Sequence, residues 1–142
     1  MPSYAPINIT ASITVDDRHA GTTCTINAAA GLTITLPAAS ATGREFKFLV
    51  ATTVTSNNVI IQVANGTDVM TGLCHMAADG GDTSVDFETA ASSDTITMNG
   101  STKGGIKGDQ IRLKDVASGL WEVQMDASGT GSEVTPFSAA VS

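Results

Sequence analysis

Aromatic side chains make up only 4% of this chain and charged ones 15%. With one Trp, one Tyr and two His in 142 residues, it is poor in the groups that sugar-binding sites and His-based acid–base chemistry draw on. Seven Lys and Arg stand against fourteen Asp and Glu, a formal net charge of −7. A surface of that sign is unsuited to neutralising phosphates or to docking on anionic lipid, so neither nucleic acid nor a membrane is expected as a partner. No apolar run approaches the roughly 20 residues of a membrane-spanning helix, and the opening residues Met1 to Asn8 lack the basic-then-apolar layout of a secretion signal. Cys24 and Cys74 lie in separate apolar segments, without the spacing of a zinc site or a redox pair. They read as two buried thiols, with a disulfide between them left open. No stretch supplies the Glu-, Lys-, Arg- and Gln-rich outer face of a long helix, so helix is at most a minor component.

What is there is Ala, Thr, Ser, Gly, Val and Ile, arranged in short alternations of apolar and hydroxylic residues. Ile7-Asn8-Ile9, Ile13-Thr14-Val15, Cys24-Thr25-Ile26 and Leu32-Thr33-Ile34-Thr35-Leu36 are the first of these, and the last two, joined by Ala28 to Gly31, read as a hairpin. Pro37 ends that strand, because it cannot donate to a sheet ladder. Phe46 to Val50 is dense enough in apolar residues to suggest a central strand buried on both faces. Val59 to Val63 follows, then Asn65-Gly66, a strong hairpin dipeptide, and a strand over Val69 to Leu73. Ser84 to Phe87 and Thr95 to Met98 alternate cleanly. Gln110 to Leu113 and Leu120 to Met125 form a terminal hairpin around Ala117-Ser118-Gly119. About eight to ten strands at this spacing predict an all-β, single-domain β-sandwich or jelly-roll-like barrel. The body is expected over residues 9–126, with an N-terminal arm over 1–8 and a C-terminal arm over 127–142.

Few constellations suggest chemistry. His19 sits in Asp16-Asp17-Arg18-His19, which reads as a solvated turn. His75 follows Cys74 directly, but neighbouring strand residues point to opposite faces, so the two do not make a catalytic pair. Asp79, Asp82 and Asp86, near Glu88 in a Gly-containing loop, are the one weak candidate for a cation site, and they lack the order of a calcium-binding loop. Thr102 to Asp109 is Gly-rich and carries two lysines, yet misses the Gly-Lys-hydroxyl ending of a phosphate loop. It reads as a connection passing close to another backbone. No catalytic residue, cofactor or metal is expected, and the chain is not expected to be an enzyme. The isolated apolar residues on polar ends, Tyr4, Pro6, Ile7, Val134, Pro136 and Phe137, are candidates for contacts between subunits, together with the lone Trp121.

The wording of several segments carries a further signal. Asn27 to Ser40 with its Leu32-Thr33-Ile34-Thr35-Leu36-Pro37 phrase, Gly43 to Val50, Thr53 to Gln62, Gly100 to Asp109 and Gly119 to Val123 together resemble the capsid decoration (cement) proteins of tailed phages. The resemblance spans about residues 10 to 125. It implies a β-sandwich or jelly-roll-like body that trimerises and sits on the outer surface of the virion. There it binds the major capsid protein at threefold or quasi-threefold points between capsomers, without catalysis. The same Thr-Ile-Thr-Leu-Pro phrase and Trp-containing strand also occur in phage fibre and spike modules, so a trimeric module for host-surface attachment is the alternative.

Overall fold

The computed structural model describes residues 5–79 and 83–142. Tyr4 and Asp82, two of the residues singled out above, lie outside them. The alternation predicts strands, and strands are what form: β1 (Ile7–Ile9), β2 (Ile13–Thr14), β3 (Thr23–Ile26), β4 (Leu32–Thr35), β5 (Glu45–Val50), β6 (Val59–Gln62), β7 (Val69–Ala78), β8 (Thr83–Glu88), β9 (Thr95–Met98), β10 (Gln110–Ala117), β11 (Leu120–Gly129) and β12 (Phe137–Ser138). No helix occurs among the described residues. A seven-stranded sheet, ordered β1-β3-β5-β10-β11-β7-β8, packs against a five-stranded sheet, ordered β12-β9-β6-β4-β2. The result is an open β-sandwich, not a closed barrel.

The chain reaches this arrangement by an unexpected route. β1, β3 and β5 pair in parallel in the larger sheet, while β2, β4 and β6 stack in the smaller one, β2–β4 and β4–β6 again in parallel. Residues 7–62 therefore wind as three flattened coils, each contributing one strand to each sheet. The expected hairpin across Ala28 to Gly31 is thus a crossing from β3 to β4, and Asn65-Gly66 likewise carries the chain from β6 across to β7. The physical reason is visible at Asn65: its Oδ1 accepts hydrogen bonds from Thr67 N and Asp68 N, closing a side-chain turn that redirects the chain out of its own sheet. Among the described residues only β7–β8 and β10–β11 are consecutive strands paired within one sheet, the second as the sequence predicts.

Inward positions alternate along every long strand. Phe46, Phe48, Ile111, Leu113, Trp121 and Met125 from one sheet meet Ile34, Ile61, Ile96 and Met98 from the other, all at most 1% exposed. β5 is buried on one face only: Phe46, Phe48 and Val50 point in, while Glu45, Lys47 and Leu49 stay partly exposed. The strand after Asn65-Gly66 is longer than expected, ten residues, because β7 pairs in parallel with the whole of β11.

Candidate interaction surface

Each sheet has one face in the core and one outside, and the two outer faces differ in kind. No Asp, Glu, Lys or Arg lies in any strand of the five-stranded sheet. Its outward positions are Thr14, Thr33 and Thr35, Ile60 and Gln62, Thr97 and Ser138, with Thr95 on the same side but covered. Thr33, Ile60 and Thr97 stand in one row across β4, β6 and β9. The outer face of the seven-stranded sheet is charged. Lys114 lies in register with Glu45 on one side and Glu122 on the other, and Lys47 stands opposite Arg112. Arg112 Nε is 3.1 Å from Glu45 Oε1, and its Nη1 donates to Gln124 Oε1 at 3.3 Å. Charges spaced this way on an exposed sheet keep it hydrated, while an uncharged face loses little when water leaves it.

The loops that frame these faces are held by buried carboxylates. Asp115, fully buried, accepts hydrogen bonds from Ser40 N, Ala41 N (2.8 Å) and Thr42 Oγ1 (2.8 Å). Asp68 accepts one from Ala39 N at 2.8 Å, so the loop after Pro37 is fixed by two internal acids. Asp94 receives Thr95 Oγ1, Val141 N and Ser142 N. Asp109 receives Gly105 N, Ile106 N and Ser128 N, which lays the Gly-rich loop against the end of β11. Desolvation raises the carboxyls of Asp115 and Asp94, but the donors around each outweigh it and hold both below the ordinary value. At Asp109 desolvation wins over the same kind of donor set, and the carboxyl is pushed up to about 6.

A measurable consequence follows. Between the ordinary Asp value of 3.8 and about 6, the folded chain holds a proton on Asp109 that the unfolded chain has released, so stability falls as pH rises through that window. The drop is on the order of 3 kcal/mol. Asp115 and Asp94 act oppositely: their contribution is complete above 3.8 and is lost as pH falls below it. Thermal unfolding across the mildly acidic range should therefore show greatest stability just above pH 4 for the natural chain. Asp109→Asn should flatten the slope between there and pH 6; an unchanged slope would refute this assignment.

The residues singled out from the sequence fall in different places. Trp121 is fully buried, its ring 5.9 Å from that of Phe46, so it is a core residue and offers no subunit contact; its position opposite Asp115 in the β10–β11 register turns it inward. Pro136 and Phe137 are also covered by their own chain, because β12 pairs antiparallel with β9. Val134 remains 44% exposed. The segment expected as a C-terminal arm thus begins inside β11 and returns to the sandwich. At the other end Pro6 is exposed, and Ile7 is half-buried in β1. Asp79 accepts a hydrogen bond from Gly131 N, while Asp86 Oδ1 lies 3.0 Å from His75 Nδ1. Among the described residues no three potential metal ligands converge.

His75 is exposed and Cys74 buried, so adjacent strand positions separate them as expected. His19 departs from its reading as solvated: it is 1% exposed, with Nδ1 3.1 Å from Asp16 Oδ1 and Nε2 3.3 Å from Arg18 Nη2. Those two neighbours satisfy both ring nitrogens, which lets the turn fold inward. Cys24 and Cys74 are both buried and free. β5, β10 and β11 lie between their strands, a separation of roughly 19 Å at ~4.8 Å per strand, far beyond disulfide reach. Burial, reinforced by Asp109, Asp126 and Asp86, pushes the Cys74 thiol up to about 12, so it is not a nucleophile at neutral pH. The Gly-rich loop does pass close to another backbone, with Val54 N donating to Gly105 O at 2.9 Å.

The buried aspartates and the charge-free sheet were the features that sequence reading missed. The second was legible in principle, since it needs only the strand assignments and the absence of charge within five of them. No protein family, curated protein or solved structure matches the chain.

Proposed function

We propose that the chain is a structural decoration (cement) protein of a tailed-phage head, a homotrimer on the outer surface of the capsid that bridges capsomers by binding the major capsid protein. The observation that carries this reading is the segregation of charge between the two outer faces. A face without charge can be pressed against a protein shell with little desolvation cost, while the ladder on the opposite sheet stays in water. The wording of residues 10 to 125 points the same way, and a net charge of −7 keeps the surface soluble and away from DNA. The reading assigns no catalysis, cofactor or metal to the chain.

Five strands at ~4.8 Å by four residues at ~3.4 Å give the uncharged face roughly 300 Å². A stable interface takes about 800 Å² per partner, so flanking loops must join in, and several modest contacts within one trimer supply the avidity. Loops pinned by buried carboxylates meet that need without an ordering cost on binding.

Co-sedimentation with expanded, undecorated capsids tests the reading. The natural chain should pellet with them, and Ile60→Glu combined with Thr97→Glu should weaken binding tenfold or more while leaving the fold intact. Lys114→Glu, on the opposite sheet, should bind as the natural chain does. Failure of the natural chain to pellet, or its binding to cell-surface glycan instead, would replace cement with an attachment module.

A further inference from the structure

Four strand edges bound the two sheets. β1 has three residues behind Pro6, β2 two, and β12 two behind Pro136. β8 is different: six residues, no proline, paired among the described residues only with β7, and partly exposed on both faces. A long open edge with free backbone donors and acceptors is a template for another strand unless something covers it. Val85 and Phe87, on its inner side, are only half-covered by their own chain.

We infer that the β8 edge of one molecule pairs with the β1 edge of a second copy of this chain. Direction favours the match. β1 runs parallel to β3 and β5, β10 is antiparallel to β5 and β11 to β10, β7 is parallel to β11, and β8 is antiparallel to β7. Continuing the sheet from one copy to the next therefore sets β8 antiparallel to β1, the stronger pairing.

The side chains agree with the direction. Ile7-Asn8-Ile9 reads in-out-in, and Val85-Asp86-Phe87 does the same. Setting Ile7 opposite Phe87, Asn8 opposite Asp86 and Ile9 opposite Val85 joins the half-buried Ile7, Val85 and Phe87 and the buried Ile9 into one inner row. It also leaves an amide facing a carboxylate outside. The next position places Glu88 beside Pro6, where Arg18, Ile7 and Ala20 help line an open groove of about 510 Å³. The two edges are thus complementary in charge as well as in pattern. Pairing β8 with β8 is disfavoured by the same residues: twofold registers centred on Asp86 or Phe87 set acid against acid. The pairing is heterologous, so it generates a ring or an open chain of copies.

Sedimentation equilibrium from micromolar to near-millimolar concentration reads this directly. The natural chain should rise from 14.4 kDa to multiples of it, more readily at low salt. Arg18→Glu and Glu88→Arg should each weaken self-association tenfold or more. Carrying both changes in one chain should restore it, because every altered edge then meets its altered match in a ring of any size or in an open chain. Far-ultraviolet circular dichroism confirms that the variants are folded. A natural chain that stays at 14.4 kDa, a Glu88→Arg variant that associates normally, or a folded double variant that does not regain association would overturn the pairing. Capsid binding is read in a separate assay and through the other sheet, so Ile60→Glu with Thr97→Glu should self-associate as the natural chain does whatever becomes of its capsid binding.

Discussion

Asp115→Ala is expected to lower the free energy of unfolding by about 3–5 kcal/mol, the largest effect of any single polar change in this chain. The carboxylate is fully buried, accepts from two backbone N–H groups and the Thr42 hydroxyl, and has Arg44 Nη2 4.0 Å away. Removing it takes the shared acceptor away from Ser40 N, Ala41 N and Thr42 Oγ1, hydrogen bonds to a charged group worth about 1.5–3 kcal/mol each. Thr42→Ala removes one donor but leaves the carboxylate with its backbone partners, and should cost only about 1 kcal/mol. Urea unfolding separates the two: the midpoint should fall for both, with Asp115→Ala losing several times more. Equal, small losses would show that the carboxylate does not hold the loop.

Gly100→Ala is expected to cost about 3 kcal/mol or more. Gly100 has φ +81°, a left-handed conformation that L side chains avoid. An added Cβ would lie 2.7 Å from the Val54 carbonyl carbon and inside the contact shell of its oxygen. Neither atom can retreat cheaply, because Val54 N is already bonded to Gly105 O and Gly100 N to Gly104 O. Gly43→Ala is the control: it shares a positive φ of 76° but has open space where the Cβ would go, so only the conformational cost of about 1 kcal/mol remains. Similar losses for both would mean that the approach of Gly100 to the Val54 backbone carries no weight.

The strand content was legible because alternation is a local property. Leu32 to Thr35 and Leu120 to Met125 show it in the sequence and keep it in the fold. Which sheet a strand joins was not legible at Ala28 to Gly31 or Asn65-Gly66, since a turn dipeptide specifies a change of direction, not the plane into which the chain turns. The hairpin at Ala117 to Gly119 was read correctly because both strands keep their apolar faces on the same side across it. The internal aspartates were hidden for another reason. An acid in a polar loop looks like a solvated charge until the backbone N–H groups that converge on it are known, and those come from segments as distant as Ser40 from Asp115 and Ser128 from Asp109. The candidate contact residues Pro136 and Phe137 were misjudged on the same ground: a short apolar run in a polar tail gives no sign of whether its own sheet or a neighbour's will cover it.

The coil of parallel strands also sets a time scale. β1–β3, β3–β5, β2–β4, β4–β6 and β7–β11 all join segments far apart in sequence, and only two hairpins can form from local contacts. Chains dominated by such pairings fold in milliseconds to seconds, because loop closure must precede most of the contacts that reward it. The same topology slows the reverse step, since β3, β4, β5 and β6 each lie between two strands distant from them in sequence. A molecule built this way persists through a high barrier to opening as much as through its equilibrium stability.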